Sequence, residues 1–531
     1  MPVATRRWWQ TGIIYQIYPR SFADANGDGV GDLAGILRRL PYLAELGVDA
    51  IWLSPIFPSP MADFGYDICD YTGIDPVFGT LAEFDALLEA AHGHGLKLLL
   101  DLVPNHTSDR HPWFRESRAA RDNPKRDWYI WKDPAADGGP PNNWRSEFGG
   151  SAWQYDEQTK QYYCHTFLAA QPDLNWRKPD VRKAIHDVMR FWLKRGVDGF
   201  RVDVIWHLIK DDQFRDNPPD PDFAPGEKPK RALIPLYTAD RPEVQDVIAE
   251  MRRVVDEFPD RLLIGEIYLP IERLVAYYGR DLSGLHLPFN FALLNAPWRA
   301  RTIAKLIEEY EQLLPPGGWP NWVLGNHDRP RIASRVGAAQ ARIAAMLLLT
   351  LRGTPTIYYG DEIGMEQVAI ADALARDPVA HNLPGLGLGR DGCRTPMQWD
   401  DGPYAGFSSV EPWLPLEDVY QQRNVATLQT EKSSIYQFHL QLIVLRRRHP
   451  ALQVGSYGPL AAEGDLLAYL RETDSERLFV ALNMGSQPAA VKLPDENRHG
   501  RLLLSSFCDR ADERVGGILQ LRGNEGAVIE L

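Results

Sequence analysis

The sequence predicts an α/β fold: a (β/α)8 TIM barrel with a domain inserted after its third strand and an antiparallel β-sandwich domain at the C-terminal end. Three observations predict it. Eight short β-rich runs alternate with helical segments, one interval between runs is far too long for a barrel unit, and past residue 452 the pattern turns to strands and tight turns.

The runs are IIYQIY from Ile13, AIWLSPIF from Ala50, LKLLLDLVPNH from Leu96, DGFRVDVI from Asp198, LLIGEIYL from Leu262, LPFNFALL from Leu287, WVLGNHD from Trp322 and TPTIYYG from Thr354. Parallel barrel strands are covered on both faces, so they read as near-continuous apolar runs. Between them, segments such as LAGILRRLPYLAELG and LAEFDALLEAAHGHG carry apolar residues at helical spacing with glycine where a helix should stop.

From Asp101 to Asp203 there are about a hundred residues, where one barrel unit takes roughly thirty. The surplus, rich in Trp, Asn, Pro and Gly, is assigned to an inserted domain at 105–175, leaving 1–104 and 176–452 to the barrel. After the fourth run, DNPPDPDFAPGEKPKR is too rich in proline for regular structure. Past the helical QFHLQLIVLRRRHPAL, the runs LLAYLRE, LFVALNMG, AAVKLP, RLLLSS and AVIEL give a small β domain at 453–531.

Composition narrows the function. A chain of 531 residues with 58 basic and 71 acidic side chains, net −13, does not suit a nucleic-acid binder and leaves a small or neutral partner. The 16 Trp, 21 Tyr and 19 Phe suit apolar sugar faces as well as cores. Cys69, Cys164, Cys393 and Cys508 have neither metal-ligand nor disulfide-framework spacing, so free thiols are expected. The N-terminal stretch lacks the pattern of a secretory signal, and IAAMLLLTL from Ile343 is too short to cross a bilayer. A cytoplasmic location with no membrane partner follows as an expectation.

Chemistry in such barrels sits at the C-terminal strand ends. There the runs carry Asp101, Asn105 and His106, then Arg201 and Asp203, then Glu266, then His327 and Asp328. In a strand, Arg201 and Asp203 share a face; that alone is equally the mark of a structural ion pair. Several carboxylates on one rim are harder to explain structurally, because gathered like charges destabilise a fold. Two carboxyls flanking a scissile bond are the device of glycoside hydrolysis. Glu266, amid apolar neighbours, is expected to have a raised pKa and act as acid; Asp203, beside Arg201, is expected to stay ionised and act as nucleophile.

The motifs DLVPNH (101–106), QPDLNW (171–176), GFRVD (199–203), GEIYLP (265–270) and GNHD (325–328) resemble, in order and spacing, those of the α-amylase superfamily of glycoside hydrolases. With YQIYPRSFADANGDGVGDL, GYDICDY and RTPMQWD, the chain is similar to the α-glucosidase and oligo-1,6-glucosidase branch. The resemblance implies an inserted B domain and a C-terminal β domain. It implies Asp203 as nucleophile, Glu266 as acid/base and Asp328 as the third carboxylate; His106 and His327 as hydroxyl-binding; Arg201 as companion of the nucleophile; and Asp63 and Tyr66 as the end of the pocket. Arg394 is chosen over Arg390 as the arginine bonding to glucose, and Phe148 and Phe167 are candidate walls of the site.

In DANGDGVGD, Asp24, Asn26, Asp28 and Asp32 alternate around glycines like the first part of an EF-hand loop, with Gly35 where the bidentate glutamate would stand. A plain turn gives the same pattern. The resemblance implies a structural Ca2+ or Mg2+ here, with the carbonyl of Val30 as a further ligand and no catalytic cofactor.

The resemblance also implies retaining exo-hydrolysis of short α-glucosides, with transfer of glucose to another sugar as a side course. Val204 after the nucleophile resembles α-1,6-specific members, whereas GEIYLP and the loop from HLIKDDQFRDNPP resemble α-1,4-active ones. The expectation is a general α-glucosidase with maltose-type substrates. Oligo-1,6-glucosidase is the alternative, then sucrose isomerase or hydrolase, and trehalose-phosphate hydrolase for a basic phosphate cluster that is not evident. An inactive binding partner is the non-enzyme reading. Oligomeric state is not legible.

Overall fold

The computed structural model describes residues 6–224, 227, 229–494 and 499–531. Each of the eight runs contains a barrel strand. These are β1 (Ile14–Ile17), β2 (Ala50–Leu53), β3 (Lys97–Leu102), β4 (Gly199–Val202), β5 (Leu262–Gly265), β6 (Leu287–Pro288), β7 (Asn321–Val323) and β8 (Thr354–Tyr358). They pair in parallel in the order β7-β8-β1-β2-β3-β4-β5-β6, so the barrel is nearly closed, with its seam between β6 and β7.

The alternation within each strand divides the core. Ile14, Ala50, Trp52, Leu99, Leu262, Ile264 and Leu287 fill the interior, while Leu98, Leu100, Phe200 and Val202 join the larger cluster under the helices. The helix Leu33–Leu46 starts on Asp32, whose carboxylate accepts from Gly35 N, and stops at Gly47 with φ 89°. Leu81–Gly93 opens on a Thr80/Glu83 capping box. Only glycine fits at position 199, where φ is 152° and a Cβ would stand 2.0 Å from the Leu262 carbonyl oxygen. That close approach lets β4 lie against β5.

Between β3 and β4, Trp131–Lys132 and Trp153–Asp156 flank Gln161–Cys164 in a three-stranded antiparallel sheet. In the proline-rich segment after β4, Pro225, Gly226 and Lys228 lie outside the described residues; the rest holds one 3-10 turn, Pro229–Ala232. At the C-terminal end, six antiparallel strands run in the order Ser456–Glu463, Leu466–Glu472, Arg477–Asn483, Gly526–Glu530, His499–Ser505, Arg514–Gly516. A two-stranded sheet, Ala489–Lys492 with Ile518–Leu521, packs on it through Phe479, Leu502, Val491 and Leu519. All four cysteines are free, and no described helix is long and apolar enough to cross a membrane.

Candidate active site

Register brings the first charges together. Asp101 in β3 is paired with Arg201 in β4, and Arg201 with Ile264 in β5, an interior residue; the side chains of Asp101 and Arg201 therefore point into the barrel. Arg201 is fully buried and serves three carboxylates. Its Nη1 donates to Asp101 Oδ1 (2.7 Å) and Oδ2 (2.9 Å) and to Asp203 Oδ1 (2.9 Å), and its Nη2 to Glu266 Oε2 (2.6 Å). Its Cζ lies 5.0 Å from the centre of the Trp52 ring, and Trp52 Nε1 donates to Asp101.

This sharing corrects one expectation. Arg201 does not hold Asp203 ionised by itself. Burial pushes the Asp203 carboxyl well above the usual range; Arg201 pulls it down, but Glu266 and Asp101 push it up. Burial also takes Asp101 up to about 7 against the pull of Arg201. One guanidinium among three buried carboxyls does not offset what burial and mutual repulsion do to Asp101 and Asp203. Nor is Glu266 set among apolar groups alone: its Oε2 accepts from Arg201 and from Val204 N (3.1 Å). Val204, directly after Asp203, sits in the left-handed region at φ 36°, a strained conformation for a β-branched residue.

Asp328 behaves oppositely. Burial alone would raise its pKa, but His327, Arg390, Arg394 and Arg201 outweigh that and hold it far below the carboxylate range. Its Oδ1 accepts from Arg394 Nη2 (2.9 Å) and Arg390 Nη1 (3.2 Å). Arg390 Nη2 also donates to Asp63 Oδ1 (2.6 Å) and Asp377 Oδ1 (2.7 Å), tying three carboxylates from distant segments. Arg394, fully buried, turns its Nε to the His327 carbonyl.

The histidines are neutral. Burial lowers His106 to about 4 and His327 to about 3. Tyr66 stacks on His327, ring centres 5.3 Å apart at 4°, and its hydroxyl meets His327 Nε2 at 2.6 Å while donating to Asp101 (3.1 Å). Gln16 Nε2 reaches His327 Nδ1 at 2.8 Å, which fixes a chain from Gln16 through His327 and Tyr66 to Asp101. On the other side Gln171 Nε2 contacts Asp63 Oδ2, the Tyr66 carbonyl and His106 Nε2. Asp173, in the same QPDLNW segment, takes Lys210 (2.9 Å), Asn105 (3.0 Å) and Thr166, and so fastens the insert to the barrel mouth.

A pocket of about 200 Å3 opens over this cluster. Of the residues expected from sequence, Asp63, Tyr66, His106, Phe148, Phe167, Asp203, Glu266 and Asp328 line it; Arg201, His327 and Arg394 stand behind it. Of the two arginines in RDGCRT it is Arg390, not Arg394, that faces the pocket: the 3-10 turn Asp391–Cys393 between them turns the second one into the core. Sequence reasoning missed Gln16, Gln171, Asp377, Trp206, Tyr268 and Arg329, although Gln16 and Gln171 lie inside motifs already singled out.

The loop before the helix Leu33–Leu46 is closed by its own side chains and by Ser408. Asp24 accepts from Gly27 N, Gly29 N and Ser408 Oγ, Asn26 from Asp28 N, and Asp28 from Val30 N, while Asp32 accepts from Gly35, Ala25 and Asn26 N. All are oxygen donors, the type a hard divalent cation takes, but among the described residues the carboxylates of Asp24, Asp28 and Asp32 do not all converge within 4.8 Å of one another. Asp32 is the most committed, as the cap of the following helix.

Residues 16–455 match the family model described as the alpha amylase catalytic domain. The chain is 44% identical over 506 residues to a probable alpha-glucosidase of Rhizobium meliloti, covering 92% of this chain and 91% of the other. It is 40% identical over 550 residues to the oligo-1,6-glucosidase of Parageobacillus thermoglucosidasius, covering 96% of each. Among solved structures, an alpha-glucosyl transfer enzyme, XgtA, superposes with a TM-score of 0.94 at 41% identity, over 99% of this chain and all of the other.

Proposed function

Because the chain belongs to the α-amylase family of glycoside hydrolases, we propose that it is a retaining, exo-acting α-glucosidase releasing glucose from the non-reducing end of short, maltose-type α-glucosides. The observation that carries this reading is the attachment of Asp203 and Glu266 to the two ends of one guanidinium, at 2.9 Å and 2.6 Å. An inverting pair needs about 6.5–9.5 Å to seat a water between the carboxyls; a retaining pair stands about 5–5.5 Å apart.

Each carboxyl has one oxygen tied and one left for chemistry. Arg201 and Val204 N hold Glu266 Oε2, leaving Oε1 to carry the proton; Arg201 holds Asp203 Oδ1, leaving Oδ2 to attack. A single proton on the pair is the state the reaction needs. With that proton on Glu266, it passes to the glycosidic oxygen as Asp203 Oδ2 bonds to the anomeric carbon and the aglycone departs as an alcohol. Water then enters, gives its proton to Glu266 and its oxygen to the same carbon, and frees Asp203 with the α configuration restored. A second sugar hydroxyl in place of that water gives transglucosylation.

Asp328, ionised at any ordinary pH, accepts from hydroxyls of the bound ring, and the Asp63–Arg390 pair ends the pocket on the non-reducing side. His106, neutral, is a hydrogen-bonding partner rather than a charge. A Ca2+ or Mg2+ held by Asp24, Asn26, Asp28, Asp32 and the Val30 carbonyl supplies rigidity to the loop and no chemical step. A cytoplasmic place fits four free thiols.

Cleavage of α-1,6 linkages is the second reading, favoured by Val204 on the pocket wall. The test is glucose release from maltose, isomaltose, kojibiose, nigerose and sucrose in parallel, with Asp203→Asn as control and the first-formed anomer read by NMR. Faster release from isomaltose moves the assignment to α-1,6, isomerised sucrose moves it to a sucrose isomerase, and β-glucose as first product refutes retention.

A further inference from the structure

A second chamber, about 360 Å3, lies beside the catalytic pocket and shares Glu147, His207 and Lys230 with it. Glu147 comes from the insert between β3 and β4, Lys230 from the 3-10 turn in the segment after β4, and their side chains meet in an ion pair across the boundary between the two spaces. His207 Nε2 stands 3.9 Å from the other oxygen of Glu147. Burial lowers His207 to about 4, so the charge opposite Glu147 at neutral pH is that of Lys230.

The pair is not part of the fold's core. The two side chains are 34% and 23% exposed, and such a pair contributes about 0–1 kcal/mol to stability. Its position matters more than its strength. At about 200 Å3 the catalytic pocket falls short of the roughly 300–1,000 Å3 that a drug-sized ligand fills, and Lys230 and Glu147 stand on its wall where it adjoins the second chamber. Beyond them the chamber walls offer the charged Asp220 and Arg231 beside the apolar Leu233, Ile234 and Pro235, a mixture of hydrogen-bonding and apolar groups of the kind a small-molecule site carries.

We propose that the Glu147–Lys230 pair is a specificity-determining partition: closed, it ends the substrate site after about two sugar units, and removed, it lets the neighbouring chamber receive a third. This rests on the α-glucosidase reading above. The test is kcat/KM for maltose and maltotriose in the wild type, Lys230→Met, Glu147→Gln, the double variant and Lys230→Arg. Each single change raises the maltotriose-to-maltose ratio roughly tenfold, the scale of one gained hydrogen bond to a charged group. The double variant gains no more than either single one, because both remove the same wall, and Lys230→Arg keeps the wild-type ratio. A ratio unmoved in both singles, or gains that multiply in the double, overturns the proposal while leaving hydrolysis intact. No glucose from any α-glucoside with the wild type overturns the α-glucosidase reading and the partition with it.

Discussion

The backbone N–H of Val204 donates to Glu266 Oε2 at 3.1 Å, from a residue held at φ 36°. The turn that follows β4 is thus bent into a conformation a valine avoids, and the bend aims a main-chain donor at the proposed acid. With Arg201 on the same oxygen, it leaves Oε1 without a protein donor among the described residues.

Glu266→Gln keeps both donors satisfied and removes only the transferable proton. Activity on maltose should fall about 10³-fold, within the usual range for loss of a general acid. The first-turnover burst of fluoride from α-glucosyl fluoride, whose leaving group needs no proton, should fall far less, while steady turnover is still slowed because the base for the attacking water is gone. Equal losses in the first-turnover rate on the two substrates would show that Glu266 does not donate.

Asp203→Asn should abolish turnover and stabilise the fold. The folded-state pKa of Asp203 lies above the ordinary 3.8, mainly through burial, with Glu266 and Asp101 adding. The native state therefore binds this proton more tightly than the unfolded chain, and stability falls as pH rises through the window above 3.8 toward the folded value. An asparagine has no such window. The melting temperature should rise by about 1–3 °C at pH 7, with little change near pH 3.5.

Asp328→Asn should act in the other direction. Its pKa is depressed in the folded state, so its contribution is present above 3.8 and is lost only as pH falls through the folded value. Without that charge Arg394, fully buried, loses its one carboxylate hydrogen-bond acceptor among the described residues. Destabilisation of about 2–4 kcal/mol is expected at pH 7. Opposite signs for these two asparagine variants in one thermal-unfolding series would separate a strained carboxyl from a paired one.

The barrel was legible because its strands are buried on both faces and interrupted by charge only at their ends, as in KLLLDL and GFRV. What sequence spacing could not carry was partnership across the chain. Arg201 looked like the companion of Asp203, two residues away, whereas the bonds to Asp101 and Glu266 depend on the register of three strands. Arg390 and Arg394 stand four positions apart in a segment without regular periodicity, and only the turn between them decides which faces the pocket. Ser456–Glu463 was missed as a strand because it carries Pro459, tolerated there at an edge and beside a bulge.

Arg390→Lys tests that distinction. A lysine keeps the charge but cannot span Asp63, Asp377 and Asp328 with a planar fork. KM for maltose should rise by roughly tenfold or more, since the Asp63 carboxylate at the end of the pocket loses its anchor. Arg394→Lys, behind Asp328, should lower the melting temperature more than it raises KM. The reverse pattern would return the glucose contact to Arg394.

The cation loop gives the last prediction. Asp24, Asn26 and Asp28 each accept main-chain N–H groups of their own turn, so the loop has a shape without help from a metal. A divalent cation that bound these oxygens in the folded state alone would stabilise it by RT ln(1 + [L]/Kd), about 2.7 kcal/mol at a hundredfold excess over Kd. Millimolar Ca2+ or Mg2+ should therefore raise the melting temperature of chelator-treated protein, and Asp28→Ala should remove the rise. Because the loop side chains bond within the loop and to Ser408 rather than to Asp203, Glu266 or Asp328, kcat at 25 °C should be the same with and without the ion. A fall in kcat on chelation, at a temperature where the protein stays folded, would place the ion in the chemistry.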